Sequence, residues 1–248
     1  MQTIRRPAEF PARNFHFDEN YAAHLQRVET VTIPPSTIYE MRWGWTNWSR
    51  LYGDMFNPDT PIRHRLFRGV IFCNGLMVGA VRLEEFDTTS IISRRHFYDC
   101  MDAHTMETAS LGGTICGIFT EDEFGTLIDL GSILYWDAAW MHPDHAKGAI
   151  WARLTNQVIG RMRGYAVLVL KAFPLEYQSA VDPPVEKAFQ HRRRAMMRYY
   201  QRVLRVEPVK RRRNRTYGTP DIGWMMRWHP NIVREADRAP IRLGLADE

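Results

Sequence analysis

Cysteine is scarce. The 248 residues hold three, Cys73, Cys100 and Cys116, an odd number with no close pair. This excludes a disulfide framework and a CxxC metal site. It leaves reduced thiols, the state expected of a cytoplasmic protein. Long apolar runs are lacking too: stretches such as Tyr165 to Leu170 fall far short of the ~20 residues that cross a bilayer. Met1 to Phe10 carry charge and proline but no apolar segment, so neither a secretory signal nor a membrane partner is expected. No internal repeat or low-complexity tract is present. HExxH is absent, and His142 and His145 have no Cys or third His nearby, so no metal site is expected.

What is there is the balance of a folded chain, 45% hydrophobic and 25% charged, with enough length for one substantial core. The net charge of +5 is unevenly spread. Eleven cations lie between Arg192 and Arg215, with Glu207 the single acid, so the remainder is net negative. A local basic excess calls for a local explanation: a solvated helix face, or a surface for a polyanion.

The pattern divides into an N-terminal extension (1–35) packed on the core, a main domain (36–230) and a C-terminal tail (231–248). Val28 to Ile33 is strand-like. Ser36 is read as the cap of a helix through Ile38, Met41, Trp45, Trp48 and Leu51, whose apolar residues recur at helical spacing. Asn74-Gly75 between apolar runs at 69–73 and 76–83 predicts a hairpin. A short helix is expected over Arg94 to Met101, a glycine-rich link at Gly112-Gly113, a short strand over Ile115 to Phe119, and a solvated acidic loop at Glu121-Asp122-Glu123.

The second half is clearer. Ser132 to Met141 reads as a buried strand, and Gly148 to Arg163 as a helix stopped by Gly164. Tyr165 to Phe173 reads as a strand covered on both faces. Val185 to Leu204 is a long helix with Val185, Phe189, Met196, Tyr199, Tyr200 and Val203 as its apolar stripe. Gly223 to Trp228 is a last strand. Strand, helix, strand, helix, strand implies an α/β sheet with crossovers.

The run Ala138-Ala139-Trp140-Met141-His142-Pro143-Asp144-His145-Ala146-Lys147-Gly148-Ala149-Ile150-Trp151 resembles the strand, loop and helix start of the GNAT superfamily of N-acetyltransferases. Ala195 to Leu204 resembles that family's tyrosine-bearing helix. The resemblance implies a GNAT-like acyltransferase fold, a mixed central sheet flanked by helices, with acetyl-CoA or another acyl-CoA as cofactor. It assigns cofactor binding to Ala139, Trp140, Met141, Ala146, Lys147, Gly148, Ala149, Ile150 and Trp151. It assigns protonation of the leaving thiolate to Tyr200. The unpaired amides of a helix N-terminus suit a diphosphate.

Acyl transfer to an amine also needs donors for an oxyanion and an acceptor for the amine proton. Asp137, a carboxylate in an otherwise apolar strand, is the candidate general base; its other reading is a strand acid bonded to a neighbour. Trp43, Trp45 and Trp48 are read either as core or as an aromatic wall. The expected function is transfer of an acetyl group to a primary amine on a small molecule or peptide, with a homodimer as a further expectation. Two alternatives stay open. Trp151 stands where the family carries glycine, which suits a GNAT-like protein without catalysis that binds a polyanion such as nucleic acid. Val78 to Leu83 and Arg42 to Trp45 resemble an acyl-homoserine lactone synthase.

Overall fold

Period-two burial governs the first half of the chain. The computed structural model describes residues 4–15, 17, 21–33, 37–51, 62–146, 150–162, 164–177, 186–209, 217 and 223–231. Arg27–Ile33 (β1) and Thr37–Trp45 (β2) pair antiparallel, from Ile33↔Thr37 to Arg27↔Trp43. Tyr39, Met41 and Trp43 are buried, whereas Ile38 is exposed. The helix expected through Ile38 to Leu51 is therefore mostly strand. The spacing of Ile38, Met41, Trp45 and Trp48 imitates a helical stripe, but the residues in the core are two apart, and a strand is what buries such a set. Ser36, its expected cap, lies outside the described residues. Gly44 is required by close approach: a Cβ there would sit 1.6 Å from the His24 carbonyl oxygen.

The expected hairpin is present as Arg63–Cys73 (β4) and Leu76–Asp87 (β5), with Ser49–Arg50 (β3) paired to β4. Asn74 and Gly75 both have positive φ, 51° and 76°, as a two-residue type I′ turn demands.

Three helices follow: Arg94–Asp102 (α1), Met106–Ile118 (α2) and Glu121–Leu130 (α3). Gly112-Gly113 is not a link, and Ile115 to Phe119 is not a strand. Both fall on α2, which a reciprocal Thr105–Thr108 capping box starts. Gly112 lets α2 approach α1, since a Cβ there would lie 2.6 Å from that of Met101. Glu121, Asp122 and Glu123 are the first turn of α3 behind its Thr120 cap, not a loop. Three acids there favour the helix dipole.

The remaining elements are Ser132–Met141 (β6), Ile150–Gly160 (α4), Tyr165–Lys171 (β7), Glu186–Leu204 (α5), Glu207–Pro208 (β8) and Trp224–Trp228 (β9). The nine strands among the described residues form one mixed sheet, ordered β1-β2-β4-β5-β6-β7-β9-β8, with β3 beside β4. Among the described residues β6 and β7 are the one parallel pair. Such a pair needs a crossover, and α4 lies between the two in sequence. One sheet face, including Met41, Trp43, Val81, Leu83, Trp136 and Leu168, packs with Leu154 and Val158 of α4 and Leu204 of α5. The other face, including Phe86, Ile133, Tyr135 and Val169, packs with α1, α2 and α3. Farther along that second face, Phe10, Phe15 and Tyr21 cover Val70, Phe72, Ala80 and Ala138. Burying such side chains stabilises the fold by about 1.5–3 kcal/mol each.

Candidate active site

β6 is shared unequally by its neighbours. Its ladder with β5 runs to Gly79↔Met141. Its ladder with β7 ends at Trp136↔Leu170. β7 meanwhile continues along β9, with Lys171↔Trp224 and the Ala172 N–H donating to the Gly223 carbonyl (2.8 Å). The two parallel strands therefore part at their carboxyl ends. Among the described residues, the edge of Asp137 to Met141 that turns toward β7 has no ladder partner.

A bulge marks the point of parting. Leu83 pairs with Trp136 and Arg82 with Ala138, so Asp137 is an extra residue with nothing opposite. A bulge raises local twist and bends its strand, which accounts for β6 leaving β7 there.

On the face shared with Ala80 and Phe86, the alternation of β5 places Arg82 and Glu84. The Arg82 Nε–H donates to an Asp137 carboxylate oxygen, and both side chains are under a tenth exposed. The Tyr135 hydroxyl donates to Glu107 at the start of α2 (2.8 Å). Three carboxylates thus gather round one guanidinium. Burial raises Glu84 to about 7, the Asp137 and Glu107 charges add to it, and Arg82 offsets only part. Burial likewise outweighs Arg82 at Asp137, and Glu107 pushes the same way, giving about 6. Glu84 is half-buried and Glu107 exposed, so the cluster reaches solvent beside α2.

Of these carboxylates Asp137 alone stands out in the sequence. Glu84 and Glu107 do not, although four charges, Arg82, Glu84, Glu85 and Asp87, in one mostly buried strand are a signal for the former. Glu107 reads as an ordinary acid of a helix first turn, and its role depends on how α2 packs.

Tyr200 lies in the core on the α4/α5 face, with Leu154, Leu170, Ala172 and Met141. Burial pushes its hydroxyl up to about 12, against some lowering by Arg192. Tyr200 and Asp137 therefore stand on opposite faces of the sheet, with the parting strands between them. Past Met141, the His142 N–H donates to the Val78 carbonyl (2.8 Å), extending the β5 pairing. The Ala146 N–H is committed to the turn, donating to the carbonyls of His142 (3.0 Å) and Pro143 (3.3 Å). The Tyr39 hydroxyl lies 3.1 Å from His145 Nδ1, which pins that turn to the sheet. Lys147, Gly148 and Ala149 lie outside the described residues. Ile150 and Trp151 open α4 and pack on the core.

The arginines of α5 divide. Arg192, Arg194, Arg198 and Arg202 are exposed. Arg193 is buried, stacks on Phe189 at 5.3 Å and donates to Gln190, so it does not belong to the solvated face. Residues 210–216 lie outside the described residues. No helix among the described residues is long and apolar enough to cross a membrane. Two surface clefts, of about 410 and 550 Å³, lie at the opposite end of the sheet, beside the end of α4.

No protein-family model matches the chain, and no curated protein matches it. Solved structures similar to the chain include two N-acetyltransferases. An apo form of a mutant agmatine N-acetyltransferase has 15% identity and a TM-score of 0.37, covering 65% of this chain and 74% of its own. A Drosophila melanogaster polyamine N-acetyltransferase, an enzyme that catalyses the formation of N-acetylagmatine, has 15% identity and a TM-score of 0.38, with the same coverage.

Proposed function

We propose that the protein is an acyl-CoA-dependent N-acyltransferase, in its simplest form an acetyltransferase, acting on a cationic amine. The observation that carries this is the parting of β6 from β7 beyond Trp136 and Leu170, beside a cluster of Glu84, Glu107 and Asp137 that reaches solvent at Glu107. Where two strands separate, neither ladder hydrogen bonds nor side chains need close the sheet. A thioester carrier fits that gap: the β6 edge from Asp137 to Met141 offers backbone groups, and the first amides of α4, at Ile150 and Trp151, offer an anion site. Bound there, acyl-CoA supplies an activated acyl group.

The chain's own groups divide the remaining work. In this reading amides along the β6 edge donate to an oxygen that gains negative charge. The carboxylates hold a protonated amine. Glu84, with a pKa near neutrality, is the better proton acceptor, because a base works best when its pKa matches the working pH. Asp137 serves as counterion to Arg82 and positions the cluster. Tyr200 keeps its proton at neutral pH. A phenol near 12 is a weaker acid than a thiol near 8.5–9, so it steadies a departing thiolate by donating a hydrogen bond rather than by full transfer.

Calorimetric titration with acetyl-CoA, followed by product analysis over a panel of primary amines, tests the proposal. Saturable binding and acylation of a cationic amine support it. Absence of binding at millimolar acetyl-CoA overturns it.

A further inference from the structure

The cleft of about 410 Å³ near the carboxyl end of α4 is lined by Arg27, Trp43, Trp45, Arg65, Gly160 and Arg161. Three guanidiniums and two indoles are an unusual lining. The register explains how they meet. Arg27 and Trp43 are direct cross-strand partners on β1 and β2, and Trp45 lies opposite Phe67, two residues from Arg65 on β4. All four therefore share one sheet face, and α4 brings Gly160 and Arg161 over it.

Two of the guanidiniums, those of Arg27 and Arg65, are held in place by aromatic stacking. Arg27 lies over Trp43 at 4.8 Å, and Arg65 is sandwiched by Trp45 at 4.2 Å and Trp48 at 4.4 Å. A guanidinium lying on an indole keeps its N–H edge for an oxyanion and has little freedom left to lose on binding. Two of the three have acidic partners: Arg65 pairs with Glu85 (2.6 Å) and Arg161 with Glu29 (3.0 Å). Arg27 has no carboxylate partner among the described residues. The cleft therefore holds three cations against two anions. A further donor is unsatisfied: the indole N–H of Trp43, a residue 3% exposed, has no acceptor among the described residues.

We infer that this cleft is a binding site for an organic oxyanion of metabolite size, separate from the parted strands. Its volume lies in the range of small-molecule sites and exceeds what a bare inorganic anion fills. Arg27 and Arg161 grip the anionic group from the two sides of the cleft, and Trp45 with Arg65 forms a wall. The inference does not depend on acyl transfer.

Calorimetric titration of the whole protein with AMP, citrate and inorganic phosphate tests it, and the first two distinguish a phosphate ester from a polycarboxylate. At least one of the two organic anions is expected to bind below about 1 mM, more tightly than phosphate, and to weaken as salt rises. Arg27→Ala and Arg161→Ala should each weaken it by about tenfold or more, and Arg95→Ala, on α1, should leave it unchanged. Arg27 and Arg161 are exposed, so both variants should keep the fold, checked by thermal melting. No saturable heat up to about 10 mM, or unaltered binding in both variants, overturns the inference. So does complete competition by acetyl-CoA, which would merge this cleft with the transferase site.

Discussion

Arg82 and Asp137 form an ion pair at the bulge where β6 leaves β7, with side chains 8% and 3% exposed. The residue that interrupts the ladder is thus also the counterion of a cation on the next strand. Breaking a buried pair is costly because the surviving charge stays in a low-dielectric site. Arg82→Met, which leaves the carboxylates without their cation, is expected to lose about 3–5 kcal/mol of stability at pH 8, read from urea unfolding. Adding Asp137→Leu should recover only part of that loss, since Glu84 and Glu107 stay behind without a guanidinium beside them.

Glu84 sets a pH dependence whose sign follows from its direction of shift. Its folded pKa, about 7, exceeds the ordinary 4.5, so the folded chain holds that proton more tightly than the unfolded one. Stability therefore falls as pH rises from about 4.5 to about 7, and the loss is complete above that. Glu84→Gln should gain about 2–3 kcal/mol at pH 8 and nearly nothing near pH 4. The same variant should lower kcat by about 10²–10⁴ and remove the rise of rate with pH near 7. Denaturant titrations at the two pH values and a pH–rate profile check both halves.

Tyr200→Phe keeps the ring in the core and removes only the hydroxyl. Acetyl-CoA affinity should hold within about threefold, and kcat should fall by about 10–100-fold. Calorimetry and steady-state kinetics separate the two. Equal losses of affinity and turnover would count against a role in thiolate departure.

Two adjacent glycines of α2 should respond oppositely to alanine. At Gly112 a new Cβ would lie 2.6 Å from the Cβ of Met101. Overpacking of about 1–3 kcal/mol should exceed the helix gain of about 1 kcal/mol, so Gly112→Ala lowers the melting temperature. At Gly113 the nearest heavy atoms are 3.6 Å away, and Gly113→Ala should stabilise by about 0.5–1 kcal/mol. Thermal melts of the two variants decide.

Elements with one strong local signal were legible in sequence. The Asn74-Gly75 hairpin, the covered strand at 165–171, and the amphipathic helices α4 and α5 all lie within the expected segments. β2 was misread because its apolar residues fit two periods, and only pairing with β1 and β4 selects one of them. α2 was misread because Gly112 lowers helix propensity locally while enabling contact with Met101, a term no local window contains. At the candidate site, Asp137 was visible as a charge in an apolar strand. Glu107 was not, because its meaning arises from packing α2 against Tyr135, 28 residues further on. The tryptophans at 43, 45 and 48 suited either core or a wall, and the arginines stacked on them come from β1 and β4 and are assembled by register alone.

Among the described residues, five rungs, from Ser132↔Tyr165 to Trp136↔Leu170, fasten the β1–β6 side of the sheet to the β7–β9 side. Helices brace that short seam: Leu154 and Val158 of α4 and Tyr200 and Leu204 of α5 share one core with Leu83 and Trp136 on one side and Leu170 and Met225 on the other. Loosening either helix would therefore slacken the junction between the two halves of the sheet.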